Sequence, residues 1–108
     1  MSIDGIKSTI ERINRDIERQ KAKIADCRED IAKTRVRKSR ESERYTRRLK
    51  AASSTASRHN IRSQKKRDWE SFARDIDRQK SKIETCRSRI KGYRDDIKRN
   101  RERIKRLR

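Results

Sequence analysis

The sequence predicts an all-α protein, folded as a long two-helix antiparallel coiled-coil hairpin. Isoleucine recurs at alternating intervals of three and four residues in two separate stretches, which is the heptad pattern of coiled coils. A Ser/Thr/Ala-rich stretch separates the two runs. Only 28% of the residues are apolar and 49% are charged, so a thick globular core is excluded and a thin helical seam must replace it.

The first heptad run predicts helix one over residues 1–50. Every a position of this run is isoleucine: Ile3, Ile10, Ile17, Ile24 and Ile31. The d positions are Ile6, Ile13, Gln20 and Cys27. The run exceeds four heptads, which strongly favours a coiled coil, and the polar Gln20 is typical of a seam residue that sets register.

The second heptad run predicts helix two over residues 61–108. Its a positions are Trp69, Ile76, Ile83, Ile90, Ile97 and Ile104. Its d positions are Phe72, Gln79, Cys86, Tyr93, Asn100 and Leu107. Residues 75–83 closely repeat residues 16–24 in the same heptad frame. A duplicated helix is the simplest interpretation of this repeat.

Residues 51–60 are predicted to reverse the chain, because serine and threonine favour local side-chain-to-backbone bonds over helix continuation. The alternative is one continuous helix. In the hairpin, a positions pack against d positions, and the flush ends favour a register that places Ile3 beside Leu107 and Ile24 beside Cys86. A slip of one heptad stays open. The whole chain forms one domain in this prediction.

The net charge of +19 points to an anionic partner. Residues 1–32 are neutral overall, whereas residues 33–67 hold fourteen basic and two acidic side chains, giving +12. Residues 68–108 hold fifteen basic and eight acidic side chains, giving +7. The middle of the chain therefore carries most of the excess charge.

A row of cations at the e positions, which we term the basic edge, would flank one side of the seam in an antiparallel pair. Its members are Lys7, Lys21, Arg28, Arg35, Lys80, Arg87, Arg94, Arg101 and Arg108, with Asn14 as the one uncharged e residue among the ten. The g positions mix both signs of charge, with Asp16, Asp30 and Asp96 among lysines and arginines. A rail for an anion is one interpretation, and an ordinary solvated face is the other.

A second group of cations surrounds the predicted turn, and we term it the basic tip. Its members are Arg44, Arg47, Arg48, Lys50, Arg58, Arg62, Lys65, Lys66 and Arg67. Only Tyr45 and Trp69 lie near enough to stack on bases, so contacts to phosphates are favoured over sequence-specific reading. Alternatively, the tip only solubilises the chain, and Trp69 either thickens the seam or anchors a partner.

No motif for catalysis, a cofactor or a metal is present in the sequence, so a non-enzymatic protein without cofactors is expected. Cys27 and Cys86 are interpreted as reduced, packed hydrophobic residues, because no CxxC motif occurs and His59 lies far away. The sequence has no apolar membrane span and no signal-peptide pattern, which predicts a cytoplasmic protein without membrane contact.

The stretch Arg48–Ser57, followed by residues 58–70, resembles the N-terminal charged coiled-coil segments of bacterial TIR-domain proteins. Those segments also have two heptad helices around a small Ser/Thr/Ala- and Arg-rich middle, so the resemblance covers most of the chain. It implies an accessory or oligomerisation module in antiviral defence. The 108 residues contain no TIR domain, so no NAD-related chemistry is implied.

Together these patterns predict a coiled-coil binding module that presents a basic edge and tip to a polyanion, with nucleic acid phosphate favoured. The alternative is a structural adaptor that docks on an acidic protein surface, or that forms a homo-oligomer through its helical arms. The two hypotheses differ in the salt dependence of binding and in the class of partner.

Overall fold

The computed structural model describes residues 2–108 and contains two helices, α1 (Ile3–Ala51) and α2 (Thr55–Leu107). The predicted fold class is confirmed: the described chain is all-α and forms an antiparallel helical hairpin. Long helices are expected here because the sequence has no proline and only two glycines.

Each helix begins at a serine that caps it. The backbone N–H of Gly5 donates to Ser2 Oγ at 3.1 Å, and the N–H of Ser57 donates to Ser54 Oγ at 3.1 Å. The first turn of a helix leaves its N–H groups without partners inside the helix, and a serine hydroxyl three residues earlier supplies one acceptor. The two caps therefore fix where α1 and α2 begin.

The chain reverses over a shorter turn than the sequence predicts. The prediction placed residues 51–60 in the turn, whereas α1 continues through Ala51 and α2 begins at Thr55, which leaves residues 52–54 between them. The turn is shorter because Ser54 caps α2. The residues that follow, which include Thr55 and Ser57, therefore form the first turn of the helix. The turn therefore lies within the predicted segment and occupies residues 52–54 of it.

The chain divides into two compact units, each of which contains a segment of both helices. The terminal unit comprises Met1–Cys27 and Ser81–Arg108. Its buried core residues all lie at predicted a and d positions: Ile6, Ile13, Ile17, Gln20, Ile24, Cys27, Ile83, Cys86, Ile90, Ile97 and Ile104. Four other predicted seam residues of this unit are half-buried: Ile3, Ile10, Tyr93 and Asn100. Leu107 is exposed over 54% of its surface, because it ends α2 and no further helical turn covers it.

The turn unit comprises Arg28–Lys80, and its seam is more polar and more aromatic. Ile31, Thr34, Tyr45 and Ile61 are buried there. Four predicted seam residues of α2 are half-buried: Trp69, Phe72, Ile76 and Gln79. Neither helix, over the residues described, has an apolar segment of the length needed to cross a bilayer.

Candidate polyanion-binding surface

The basic tip lies entirely within the turn unit, on the last two turns of α1 and the first four turns of α2. Between residues 44 and 67 the sequence has nine lysines and arginines and no aspartate or glutamate. Seven of the nine cations are exposed, and Arg48 and Lys65 are half-buried. This segment therefore concentrates positive charge where no acidic side chain of its own compensates it.

Four tip cations are engaged in contacts within the chain. Arg44 forms an ion pair with Glu41 at 3.6 Å. The guanidinium of Arg48 donates to Gln64 Oε1 at 2.9 Å, and that of Arg58 donates to the carbonyl oxygen of Ala52 at 3.4 Å. The ammonium of Lys65 lies over the Trp69 ring. Neutral acceptors and rings leave the charge of Arg48, Arg58 and Lys65 uncompensated.

The other five tip cations have no ion-pair or hydrogen-bond partner within residues 2–108. They are Arg47, Lys50, Arg62, Lys66 and Arg67, and all five are exposed. Lysine and arginine donors in this state are hydrated by water alone, so an anion can replace that water without first breaking a protein contact.

An aromatic cluster lies beside the basic tip. Tyr45 meets Trp69 edge-to-face with ring centroids 5.9 Å apart, and Trp69 meets Phe72 in the same way at 5.9 Å. The ammonium groups of Lys38 and Lys65 lie 5.6 and 5.3 Å from the centroid of the Trp69 ring. Such contacts add to the burial energy of the rings, so the cluster ties α1 to α2 in the turn unit.

A hydrogen bond from Tyr45 to Asp68 joins the two helices in this cluster. Only 4% of Tyr45 is exposed, and its hydroxyl donates to a carboxylate oxygen of Asp68. The hydrogen bond to Asp68, then burial, then the negative charge of Asp68 raise the pKa of Tyr45 above its ordinary value. The guanidinium of Arg48 lies 5.4 Å from the centre of the Tyr45 ring and opposes this effect.

In the terminal unit, the structure brings part of the basic edge together. Asn14 and Lys21 of α1 line one shallow groove with Arg94 and Arg101 of α2, so the e positions of the two helices do meet there. Two edge cations of this unit are compensated within their own helices: Lys21 lies 3.3 Å from Glu18. Arg87 lies 2.7 Å from Glu84. The remaining edge cations of the unit are Lys7 and Arg108, and both are exposed.

In the turn unit, the three edge cations Arg28, Arg35 and Lys80 are exposed, and no contact in the structure links them. A groove of about 870 Å³ in the same unit is lined by Val36, Thr34 and Gln79 together with side chains of both charges. Half of Val36 is exposed, and Arg37 donates to Thr34 Oγ1 at 3.3 Å. This groove mixes acids with bases, so its charge does not favour an anion.

The ion pairs of the described residues all lie within one helix, at spacings of three or four residues. Three of the acids at g positions pair in this way: Asp16 with Arg19 at 3.1 Å, Asp75 with Arg78 at 3.7 Å, and Asp96 with Arg99. Exposed pairs of this type contribute little to stability. These pairs neutralise basic side chains along much of both helices. The basic tip therefore stays the segment with the most uncompensated positive charge.

The sequence prediction missed two residues of the aromatic cluster. It ended the a positions of helix one at Ile31 and counted Tyr45 among the rings near enough to stack on bases, whereas Tyr45 is a buried seam residue. The signal was present, because Lys38 and Tyr45 continue the a positions at intervals of seven after Ile31. Lys38 contacts Trp69 from that position.

The remaining predicted residues are placed as follows. Cys27 and Cys86 are free thiols and both are buried, as expected for packed hydrophobic residues. His59 is exposed near the start of α2. Among the described residues, no group of three or more histidine, cysteine, aspartate or glutamate side chains lies together as a metal would require.

Comparisons with known proteins identify no relative. No protein-family model matches the chain, and no curated protein and no solved structure is significantly similar to it. The resemblance to the coiled-coil segments of TIR-domain proteins therefore stays a prediction.

Proposed function

We propose that the protein is a non-enzymatic binding module whose basic tip holds nucleic acid through its phosphates. The observation that carries the proposal is the segment 44–67, which has nine cations and no carboxylate and exposes five cations without a partner. Phosphate oxygens accept hydrogen bonds from lysine and arginine, and release of condensed counterions drives the association.

Helical geometry supports a multivalent contact. The cations of α2 at positions 58, 62, 65 and 66 are spaced by three, four or one residues, so they project from neighbouring turns of one helix. The cations of α1 at positions 44, 47 and 48 have the same kind of spacing. With about four phosphates neutralised, the slope of log affinity against log salt is expected near −3.6 for duplex DNA.

The basic edge has a secondary role in this proposal. In the terminal unit, Lys21 and Arg87 already have carboxylate partners, so binding of a phosphate there competes with an existing ion pair. Arg94 and Arg101, which share a groove with Lys21, remain available. These residues contribute general attraction to a polyanion, whereas the basic tip supplies the principal contacts.

The test compares two quadruple variants with equal loss of charge. Arg47, Arg62, Lys66 and Arg67 are changed to glutamine in one, and Arg19, Lys33, Arg78 and Arg99 in the other. All eight residues are exposed, and each control residue has an ion-pair partner in its own helix. Binding of a labelled DNA duplex is followed by fluorescence anisotropy between about 0.05 and 0.5 M salt.

The tip variant is expected to flatten the salt slope by about two units, because four of the nine tip cations are gone. The control variant is expected to change it by well under one unit. Circular dichroism checks that both variants keep their helices. Equal losses in the two variants would mean diffuse attraction to the net charge and would remove the basic tip as a site.

Two exposed apolar side chains favour a second candidate function, an adaptor that contacts another protein. Val36 is 50% exposed beside the groove of the turn unit, and Leu107 is 54% exposed at the end of α2. An acidic partner, or a second copy joined through the arms, is the partner expected for such an adaptor, and the resemblance to segments of defence proteins agrees with it. Absence of nucleic acid binding at about 0.1 M salt would favour this second candidate.

A further inference from the structure

We infer that the basic tip selects duplex nucleic acid over single strands, because it offers charge and hydrogen-bond donors but almost no free ring for bases to stack on. This inference rests on the proposed function and narrows its ligand. Proteins that hold single strands combine a cationic groove with exposed aromatic side chains on which successive bases stack. In the turn unit, the aromatic side chains of Tyr45 and Trp69 are instead engaged in contacts that join the two helices.

Tyr45 is unavailable for stacking. Its side chain is buried in the seam, and its hydroxyl is held by Asp68. One edge contact joins it to Trp69, and the guanidinium of Arg48 lies 5.4 Å from its ring centre. A base could reach this ring only if the two helices separated.

Trp69 is equally occupied. It is half-buried and has edge-to-face contacts with both Tyr45 and Phe72. The ammonium groups of Lys38 and Lys65 lie within 5.6 Å of its ring centroid, one from each helix. A stacked base would have to displace these lysines, and the cation–π energy of each would be lost.

His59 is the one exposed ring between residues 44 and 67. A single imidazole on a helix cannot form a platform for successive bases. Guanidinium groups can also stack on bases. Of the six tip arginines, Arg44, Arg48 and Arg58 have partners within the chain. The other three are exposed, and a guanidinium binds phosphate through charge-assisted, often bidentate hydrogen bonds. Electrostatics therefore dominates the interaction.

The size of the preference follows from charge density. A duplex releases about 0.9 counterion for each phosphate neutralised, and a single strand about 0.7. For about four contacts and equal affinities extrapolated to 1 M salt, the duplex binds about sixfold more tightly at 0.1 M salt. The two affinities should converge as salt rises, because no stacking term remains to hold the single strand.

The experiment measures binding of the full chain to a labelled duplex of mixed sequence and to one of its strands, from about 0.05 to 1 M salt. The expected result is the sixfold preference at about 0.1 M salt and convergence near 1 M. The emission of Trp69, the only tryptophan, should not be quenched by the strand. His59→Ala is a second variant, and it should leave binding to both ligands unchanged.

Four results would overturn the inference: equal or tighter binding of the strand at low salt, strand binding that survives high salt, quenching of Trp69 by the strand, or weaker strand binding by His59→Ala. In each of these cases the proposed function would stand, with a different ligand. Binding of neither nucleic acid would overturn both the inference and the proposed function.

Discussion

The hydroxyl group of Tyr45 provides a sharp test of how α1 and α2 are joined in the turn unit. Tyr45→Phe removes only the hydrogen bond to Asp68, because phenylalanine can keep the ring contacts with Trp69 and Arg48. A hydrogen bond to a charged acceptor contributes about 1.5–3 kcal/mol. Asp68 is half-buried and can be rehydrated, so the lower end, about 1.5 kcal/mol, is expected for the loss in unfolding free energy.

Urea unfolding followed by circular dichroism measures this loss. A double-mutant cycle with Asp68→Ala isolates the pair, because alanine has no acceptor, and a coupling of about 1 kcal/mol or more is expected because the two side chains touch. Asn can still accept the hydrogen bond, so Asp68→Asn alone should cost less than Tyr45→Phe. A Tyr45→Phe variant as stable as the parent would refute the hydrogen bond as a tie between the helices.

The pH dependence of the stability difference between the parent and Tyr45→Phe provides a second test of this hydrogen bond. Because the pKa of Tyr45 is raised in the folded protein, the hydroxyl stabilises the fold fully below its ordinary pKa of 10.0. The advantage of the parent over Tyr45→Phe should therefore be constant up to about pH 9 and shrink as the pH rises through the folded pKa. An advantage that grows above pH 10 would contradict the assigned direction.

The seam and the cysteines yield three further predictions. Ile24→Asp should cost about 4 kcal/mol or more and abolish cooperative unfolding, since Ile24 is 92% buried, whereas the control Val36→Asp should change little. Gln20→Leu should raise the unfolding free energy by about 1–2 kcal/mol, because Gln20 Oε1 is buried without a partner; a less stable variant would contradict this. Reductant or chelator should leave the melting temperature unchanged, because both thiols are free; a drop with chelator would reveal a metal site.

The seam of the arms could be predicted from the sequence, and the turn unit only in part. Isoleucine at intervals of three and four marks the buried positions of the terminal unit, as Ile13 and Ile97 show. In the turn unit the heptad a positions are occupied by Lys38 and Tyr45. A pattern of polar and apolar residues does not mark either of them as a buried position. Their burial and contacts depend on Trp69 of the other helix, which a pattern along one helix cannot indicate.

The charge of the surface could be predicted from the sequence, whereas the partners of its individual cations could be predicted only in part. The excess charge between residues 44 and 67 is visible in the sequence, and the structure shows which of those cations have partners. Glutamates three residues earlier compensate Lys21 and Arg87, and this pairing follows from helical spacing. The charges at the e positions, taken alone, instead predicted an unbroken basic edge. Side-chain pairing within a helix decides which charges stay available, and the heptad pattern does not record it.

The most direct test of the basic tip as the binding surface is a lysine footprint. Acetylation of each lysine is measured by mass spectrometry with increasing amounts of a DNA duplex. Lys50 and Lys66 represent the tip, and the exposed residues Lys91, Lys98 and Lys105 on α2 are the controls. We predict that the two tip lysines are protected at duplex concentrations that leave the three controls reactive. Uniform protection of all five, or protection of the controls first, would contradict the account.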